Sequence, residues 1–247
     1  MTVAQPLTRT RSSAEHLFYG AMSVSILAGV CLGFARSFLL RPLFPGLKVP
    51  PEPFFLLHGV VFLAWFVLLT VQTTLVARGR VALHRSLGVL GGVLATVMVV
   101  LGLTGAVIAA RRPGGFTEIP VPPLQFLAIP FFDMLIFPAL IGAALALRRD
   151  AQAHKRLMLV GSIAILTAAI ARWPFGVFEG GPLVFFGLTD LYLVPLVAWD
   201  LVTRRRLHPA TLWGGLALVV SQVLRLAVSG THGWLVFAQW LTGLPGA

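Results

Sequence analysis

Long apolar segments alternate with short polar segments along most of the chain. The apolar segments are about twenty residues long and show no alternation of apolar and polar positions with a period of two. A helix of that length crosses the ~30 Å hydrocarbon core of a bilayer, whereas period-two alternation is typical of membrane-spanning strands. The pattern predicts an all-α bundle of seven transmembrane helices, at residues 17–40, 54–77, 87–110, 124–147, 157–173, 183–203 and 210–229.

Two different segments flank this bundle. Residues 1–16 are polar and are expected to form a cytoplasmic tail. Residues 230–247 are rich in Gly and carry Trp234, Phe237 and Trp240, which suits a short helix at the membrane interface better than a further span. We therefore expect one seven-helix transmembrane domain over residues 17–229.

Composition agrees with a membrane protein and argues against nucleic-acid binding. Hydrophobic residues make up 57% of the chain and charged residues 11%, whereas soluble domains carry about a quarter charged residues. The net charge of +11 would suggest a nucleic-acid partner in a soluble protein. Here the basic residues lie mainly in short loops, without the interleaved aromatic residues that hold single strands. The expected partner is the lipid bilayer.

The basic residues also predict the orientation of the chain. Twelve of the 19 Lys and Arg residues lie in the N-terminal tail and in or beside the loops between predicted helices 2 and 3, 4 and 5, and 6 and 7. Short loops rich in Lys and Arg remain in the cytoplasm. We expect a multi-pass protein of the bacterial inner membrane, with its N-terminus in the cytoplasm and its C-terminus outside.

Ionisable residues inside the predicted helices are candidates for a functional site. Each costs at least ~2.5–3.5 kcal/mol at the bilayer centre, so such residues usually face a bundle interior or a wet cavity. Asp133 and Asp190 lie roughly 13 Å and 10 Å inside predicted helices 4 and 6 at 1.5 Å per residue, and His58 lies near the start of helix 2. Arg172 and Arg225 stand at the same level. We expect these five side chains to form an outward-facing polar chamber.

Two interpretations of this chamber remain open. In the first, the protein binds or transports a small polar or amphipathic molecule: Asp133 and Asp190 take a cationic group or a proton, and Arg172 and Arg225 take an anionic group. His58 changes its protonation near neutral pH in that scheme. In the second, the aspartates pair with arginines only to hold the bundle together, and the outer arginines are anchors at the membrane surface.

Histidines near the basic loops suggest a different function. His84 and His154 stand where predicted helices 3 and 5 begin, and neutral imidazole ligates haem iron and divalent metals. The pair predicts, as an alternative, a b-type haem electron-transfer protein. A third possibility is a membrane-embedded metal-dependent enzyme centred on His58. The simplest interpretation makes these histidines interfacial residues beside basic anchors.

Several other functions need residues or motifs that the sequence does not contain. A retinal Schiff base needs a lysine inside the membrane, and the two lysines, Lys48 and Lys155, lie in or beside loops. No phosphate-binding Gly-rich loop, nucleophile elbow or zinc-binding H-E-x-x-H sequence occurs. Cys31 is the only cysteine, so an intramolecular disulfide is excluded. Whether the protein is an enzyme stays open at this stage.

Glycine and proline positions predict local features of the bundle. Gly29 and Gly33 form a G-x-x-x-G pair, which allows two helix backbones to approach closely. Pro130, Pro138 and Pro195 are expected to kink predicted helices 4 and 6, because proline removes a backbone hydrogen bond from a helix.

Two groups of motifs resemble those of a large set of uncharacterised bacterial seven-helix membrane proteins. The first is His58-Gly59 followed by Trp65, Gln72 and His84-Arg85-Ser86-Leu87-Gly88. The second is Trp199-Asp200-Leu201 followed by Leu207-His208-Pro209-Ala210-Thr211-Leu212-Trp213-Gly214. The motifs extend from predicted helix 2 to predicted helix 7. The resemblance implies a bacterial membrane protein and carries no mechanism.

Overall fold

The computed structural model describes residues 7–45, 52–112, 121–177 and 179–244 of the chain. Within these ranges the regular structure is helical and no strand occurs. The α-helices are α1 (Leu7–Phe34), α2 (Pro53–Ala77), α3 (Val81–Arg111), α4 (Pro123–Phe126), α5 (Ala128–Ala146), α6 (Ala151–Ala164), α7 (Thr167–Ile170), α8 (Gly181–Asp190), α9 (Leu193–Arg204), α10 (Pro209–Ser229) and α11 (His232–Thr242). A π-helical turn, Ala35–Leu39, and a 3-10 turn, Arg41–Leu43, follow α1.

Seven helical stretches are long and apolar enough to cross a membrane, which confirms the predicted fold class. They are Ser13–Leu39, Pro53–Ala77, Val81–Arg111, Pro123–Ala146, Ala151–Ile170, Gly181–Arg204 and Pro209–Ser229. Large apolar side chains such as Val89, Leu183 and Val202 are more than 70% exposed on the outside of the bundle. A surface of this kind suits the hydrocarbon of a bilayer. The chain is therefore a multi-pass membrane protein.

Several helices begin before the apolar segments that predicted them. The third span begins at Val81 and the fifth at Ala151, each six residues ahead of its predicted start. Their first turns are polar, with His84-Arg85-Ser86 in α3 and Gln152 in α6. Similarly, α1 begins at Leu7, within the predicted polar tail. Hydrophobicity marks the membrane-embedded part of a helix, while the hydrogen-bonded helix continues into the polar residues.

Five of the spans form a ring. The helix α1 packs against α2 and α7, α2 against α3, α3 against α5, and α5 against α6, which α7 continues. The helix α10 lies outside this ring against α5 and α6, and α8 and α9 lie against α6. The fifth span is the centre of the bundle. In its most apolar stretch of 18 residues 78% of the stretch is buried inside the protein, compared with 17% for the second span.

Prolines explain two of the three breaks inside the spans. The breaks at Leu127, between α4 and α5, and at Leu191, between α8 and α9, come three and four residues before Pro130 and Pro195. Proline has no N–H for the carbonyl four residues earlier and its ring collides with that carbonyl. In contrast, α5 continues through Pro138. The break between α6 and α7, at Ile165, has no proline in the span.

The glycine pair of α1 packs closely against neighbouring helices. A Cβ atom added at Gly33 would lie 2.1 Å from the backbone oxygen of Ala169 in α7, and one at Gly29 would lie 2.7 Å from the hydroxyl oxygen of Tyr192. Nothing larger than hydrogen fits at Gly33, since backbone rather than a flexible side chain faces it. The predicted close packing at this motif joins α1 to the broken fifth span.

The C-terminal segment forms the helix α11, which packs against the bundle by one face. Thr231 caps its start by accepting a hydrogen bond from the N–H of Trp234 (3.3 Å), and Gly243 ends it with φ of +64°. The Trp234 indole N–H donates to the carbonyl of Leu124 (2.7 Å), whereas Trp240 is 76% exposed.

We call the end of the bundle with the connections 78–80, 147–150 and 205–208 the short-loop end. The first turns of α3, α6 and α10 and the last turns of α2, α5 and α9 lie there.

Candidate functional site

A cavity of about 400 Å³ lies inside the ring of five spans, at the end opposite the short loops. We call this the cavity end. The walls come mainly from the end of α1 with its π-helical turn and from α2, α3, α4, α5 and α7, and α8 contributes Phe185. Most of the wall is apolar, and its aromatic members are Phe34, Phe38, Phe55, Phe62, Phe66, Phe126 and Phe185. The polar side chains in the wall are those of Ser37, Arg41, Glu52, His58, Arg112, Asp133, Thr167 and Arg172.

Glycines of α3 leave room for the polar wall. A Cβ atom at Gly102 would lie 2.2 Å from the sulfur of Met134, and one at Gly105 would lie 3.5 Å from Nδ1 of His58. Both glycines line the cavity on one face of α3. The missing side chains therefore allow α5 and the His58 ring to approach α3.

His58 presents an imidazole whose Nδ1 is not hydrogen-bonded. The ring stacks on Phe62 with a centroid distance of 4.0 Å and an angle of 16°. The Leu101 carbonyl of α3 is the hydrogen-bond partner of the ring, while Nδ1 is buried and has no partner in the described part of the chain. Buried polar atoms are normally satisfied, so His58 retains capacity for one more hydrogen bond.

Asp133 connects the cavity to a buried arginine. Nη1 of Arg225 donates to Oδ1 of Asp133 at 2.5 Å, and the two residues are 0% and 6% exposed. The arginine also donates to the carbonyls of Ile129 (3.2 Å) and Ser221 (3.1 Å) and to the Ser221 hydroxyl (3.0 Å). Its guanidinium lies 5.3 Å from the centre of the Phe186 ring. Arg225 therefore fixes the carboxylate from behind, and Asp133 itself lines the cavity.

Charged side chains surround the cavity near its outer rim. Arg172 is exposed, donates to the carbonyl of Ala168 (2.6 Å) and lies over the ring of Phe34. Glu52 forms a 2.8 Å ion pair with Arg112. The site thus combines a mostly apolar interior, one histidine, one arginine-bound carboxylate and a charged rim.

The five residues of the predicted chamber are divided by the structure. His58, Asp133 and Arg172 line the cavity. Arg225 stands behind Asp133 rather than in the wall. Asp190 lies apart from them, half-buried, and accepts a hydrogen bond of 2.9 Å from Nε2 of Gln222. The expected pairing of an aspartate with an arginine is present for Asp133 and Arg225, while the described partner of Asp190 is a neutral amide.

A packed layer follows the cavity along the bundle axis. Trp65, two helical turns after His58 on α2, is 2% exposed and donates its indole N–H to the hydroxyl of Ser162 (3.1 Å). Its ring meets Phe137 of α5 edge to face at 5.1 Å. This layer joins α2, α5 and α6 beneath the cavity.

Histidines at the short-loop end lie as a pair. The rings of His84 and His154 have centres 6.3 Å apart and planes at 80°. His208 is the N-cap of α10, where its Nδ1 accepts a hydrogen bond of 3.1 Å from the N–H of Ala210. Burial, aided by the charges of Arg156 and Arg204, lowers the pKa of His208.

A buried polar network at the short-loop end was missed by the sequence analysis. Arg156 and Asp200, 1% and 0% exposed, form an ion pair in which Nε donates to Oδ1 at 3.0 Å. Oδ2 of Asp200 accepts from the Thr211 hydroxyl (2.6 Å) and from the backbone N–H of His208 (3.0 Å). Gln152 accepts from Nη1 of Arg156 (2.6 Å). The network joins α6, α9 and α10.

The network extends to α1 through an ion pair between Lys155 and Glu15, whose carboxylate also accepts from Gln152 (3.2 Å). Arg156 is one of the basic residues beside the loop between predicted helices 4 and 5, where the orientation of the chain alone accounts for a cation. A signal was nevertheless present, since Asp200, His208 and Thr211 all belong to the second motif of the resemblance.

Metal ligands do not cluster around His58. In the described ranges, no group of three or more His, Cys, Asp or Glu side chains is placed to hold a metal ion. The sequence matches no family model, no curated protein and no solved structure. The geometry of the cavity is therefore the basis for a functional assignment.

Proposed function

We propose that this protein binds a small amphipathic molecule in the cavity between its first five spans. The observation that carries the proposal is that His58, Asp133 and Arg172 lie in the wall of one mostly apolar cavity. Ligand sites are concave, mostly apolar and supplied with few polar groups. A volume of about 400 Å³ falls within the ~300–1,000 Å³ range of such sites.

The chemistry of the wall indicates how such a molecule is held. Aromatic side chains of α2 and α4 cover its apolar part. Because the Leu101 carbonyl accepts from the other ring nitrogen, Nδ1 of the neutral His58 ring accepts a hydrogen bond from the ligand. The carboxylate of Asp133 accepts hydrogen bonds, and its orientation is fixed in advance by Arg225. Preorganised polar groups of this kind give specificity because no side chain has to be ordered on binding.

Orientation and location form part of the same proposal. The basic short loops favour a cytoplasmic position for the short-loop end. The cavity end then faces the outside of a bacterial inner membrane, and the ligand comes from the periplasmic side or from the outer leaflet. Transport is a natural extension, and it requires the Trp65 layer to open.

The proposal is tested by filling the cavity. Ala168 lines the cavity and is an exposed residue, so Ala168→Trp adds an indole to the cavity wall. Ala198 of α9 is also exposed but does not line the cavity in the described part of the chain. Ala198→Trp is therefore the matched control with the same substitution.

Purified protein in nanodiscs is titrated with a dansyl-labelled undecanoic acid, whose fluorescence reports transfer into an apolar site. We expect saturable binding to the natural chain and to Ala198→Trp, with at least a tenfold loss of affinity in Ala168→Trp. Equal saturable binding by both variants places the probe elsewhere. Absence of saturable binding to the natural chain contradicts the proposal for this class of ligand.

A further inference from the structure

His84 and His154 form a second constellation, distant from the cavity. His84 lies in the first turn of α3 and His154 in the first turn of α6. Gly102, where α3 reaches the cavity, is about 27 Å farther along the helix at 1.5 Å per residue. The two rings come from different helices and have centres 6.3 Å apart. The pair is therefore separate from the proposed ligand site.

The end of α5 fixes the tautomer of His154. Nδ1 of His154 lies 2.8 Å from the carbonyl oxygen of Ala144, in the last turn of α5. Carbonyls in a last turn lack donors within their helix, and a carbonyl oxygen can only accept. Nδ1 therefore carries the proton, and Nε2 of the neutral ring keeps its lone pair. Metal-binding histidines are commonly oriented in this way by a carbonyl at the second nitrogen.

Two further atoms that can coordinate a metal ion lie in this corner without a described hydrogen-bond partner. Nδ1 of His84 and Oε1 of Gln72 are buried without a hydrogen bond in the described part of the chain. The Gln72 amide nitrogen lies 4.0 Å from the position of a Cβ atom on Gly88, one turn after His84. Unsatisfied buried groups are rare in folded proteins and call for an explanation, of which an ion is one.

The separation of the rings suits one shared metal ion. Metal–nitrogen bonds of about 2.0–2.1 Å put an ion roughly 3.2 Å from each imidazole centre, so two rings on one ion have centres about 5.2–6.4 Å apart for angles from tetrahedral to linear. The observed 6.3 Å lies at the linear end of that interval. A near-linear pair of ligands needs no third strong donor.

Surrounding charge selects the kind of ion. Arg85 acts on His84 electrostatically, while the positive dipole ends of α3 and α6 are opposed by the negative ends of α2 and α5 at the same place. The Asp150 carboxylate accepts from the backbone N–H groups of Gln152 and Ala153. A positive environment disfavours divalent ions more than monovalent ones, and imidazole is a good ligand for copper. We propose that His84 and His154 bind one Cu(I) ion between them.

Copper binding by the purified, metal-free protein tests this site. Cu(I) is titrated anaerobically in competition with a chromophoric Cu(I) chelator, and Zn(II) is titrated in parallel. We expect one equivalent of Cu(I) on the natural chain and a loss of at least tenfold in affinity in His84→Ala and His154→Ala. His232→Gln, which changes an exposed histidine at the start of α11, serves as the control and should bind as the natural chain does.

Four results would overturn the proposal. Unchanged Cu(I) affinity in both alanine variants removes the histidines as ligands. Preferential Zn(II) binding that depends on both histidines contradicts the choice of ion. A Soret band in the protein as purified, lost in both variants, assigns the pair to haem instead. If the variants do not fold, X-ray absorption of the Cu(I)-loaded natural chain decides: two imidazole nitrogens support the site, and sulfur ligands exclude it.

Discussion

Two buried arginine–aspartate pairs hold the two ends of this bundle, and they differ in how many hydrogen bonds the carboxylate oxygens accept. At the short-loop end, both oxygens of Asp200 are engaged by Arg156, Thr211 and the backbone of His208. At the cavity end, the described hydrogen bond to Asp133 reaches one oxygen, from Arg225, and Asp133 also forms part of a cavity wall. A saturated pair serves architecture, whereas a pair facing open space can also serve binding.

Breaking the saturated pair should have the largest effect. Arg156→Leu leaves the Asp200 carboxylate buried without its cation, and removal of one partner of a buried pair costs about 3–5 kcal/mol. We expect a corresponding fall in the free energy of unfolding, measured by denaturant titration in mixed micelles. The double variant Arg156→Leu/Asp200→Leu should recover part of the loss, since no charge remains buried. A double variant less stable than both single variants would contradict this.

A substitution in the pair at the cavity end should lower the free energy of unfolding by less and change the affinity for the ligand by more. Asp133→Asn keeps an oxygen acceptor for Arg225, which retains its bonds to Ile129 and Ser221, so we expect a loss of about 1–3 kcal/mol. Affinity for the dansyl-labelled acid should change at least tenfold. Asp190→Asn, at the other aspartate, is the control for binding and should leave that affinity within about twofold. If Asp133→Asn and Asp190→Asn changed the affinity for the dansyl-labelled acid equally, Asp133 would not be the aspartate of the binding site.

Acid should loosen the short-loop end around the start of α10. The pKa of His208 is lowered from 6.5 mainly by burial, and the pKa of Asp150 is lowered from 3.8 mainly by the Ala153 N–H. Groups with lowered pKa in the folded state stabilise it at pH above their ordinary values, and that contribution is lost as pH falls. The protection factor against hydrogen exchange at the start of α10, which is the intrinsic exchange rate at each pH divided by the observed rate, should therefore fall between pH 7.5 and pH 5.5.

His208→Asn provides the control for the acid effect. Asparagine is a good N-cap that does not titrate in this range, so the protection factor at the start of α10 should stay constant with pH in this variant. The same fall of the protection factor in His208→Asn would assign the effect to another group.

The smallest expected change in stability is that of His58→Phe. The ring already stacks on Phe62 and has a buried nitrogen without a partner, so an apolar ring of similar shape should change stability by less than about 1 kcal/mol. Binding of the dansyl-labelled acid should still weaken. A large loss of stability would show that the histidine is structural, as Asp200 is.

The spans could be predicted from the sequence because hydrophobicity decides which segments lie in a membrane. The positions of His58, Asp133 and Arg172 along these spans predict one depth, and the structure brings the three residues to one cavity. Asp190 and Arg225 have the same predicted depth, but depth does not determine which way a helix is rotated. Asp190 turns towards Gln222, and Arg225 lies behind Asp133.

The saturated network was harder to predict for a related reason. Arg156 lies near a basic loop, where a cationic residue is expected on grounds of orientation alone. Its burial follows from the packing of α6 at the centre of the bundle, which depends on contacts distant in sequence. Similarly, the break at Ile165 has no proline to mark it.

The low burial of the second span has a consequence for access. Protein buries 17% of the most apolar 18-residue stretch of this span. The span is therefore a partition one helix thick, with acyl chains on one side and the cavity on the other. A compound that dissolves in the bilayer reaches the neighbourhood of His58 without crossing water. Its effective concentration there follows its partition coefficient, so hydrophobic compounds gain an advantage before any contact with the polar wall is made.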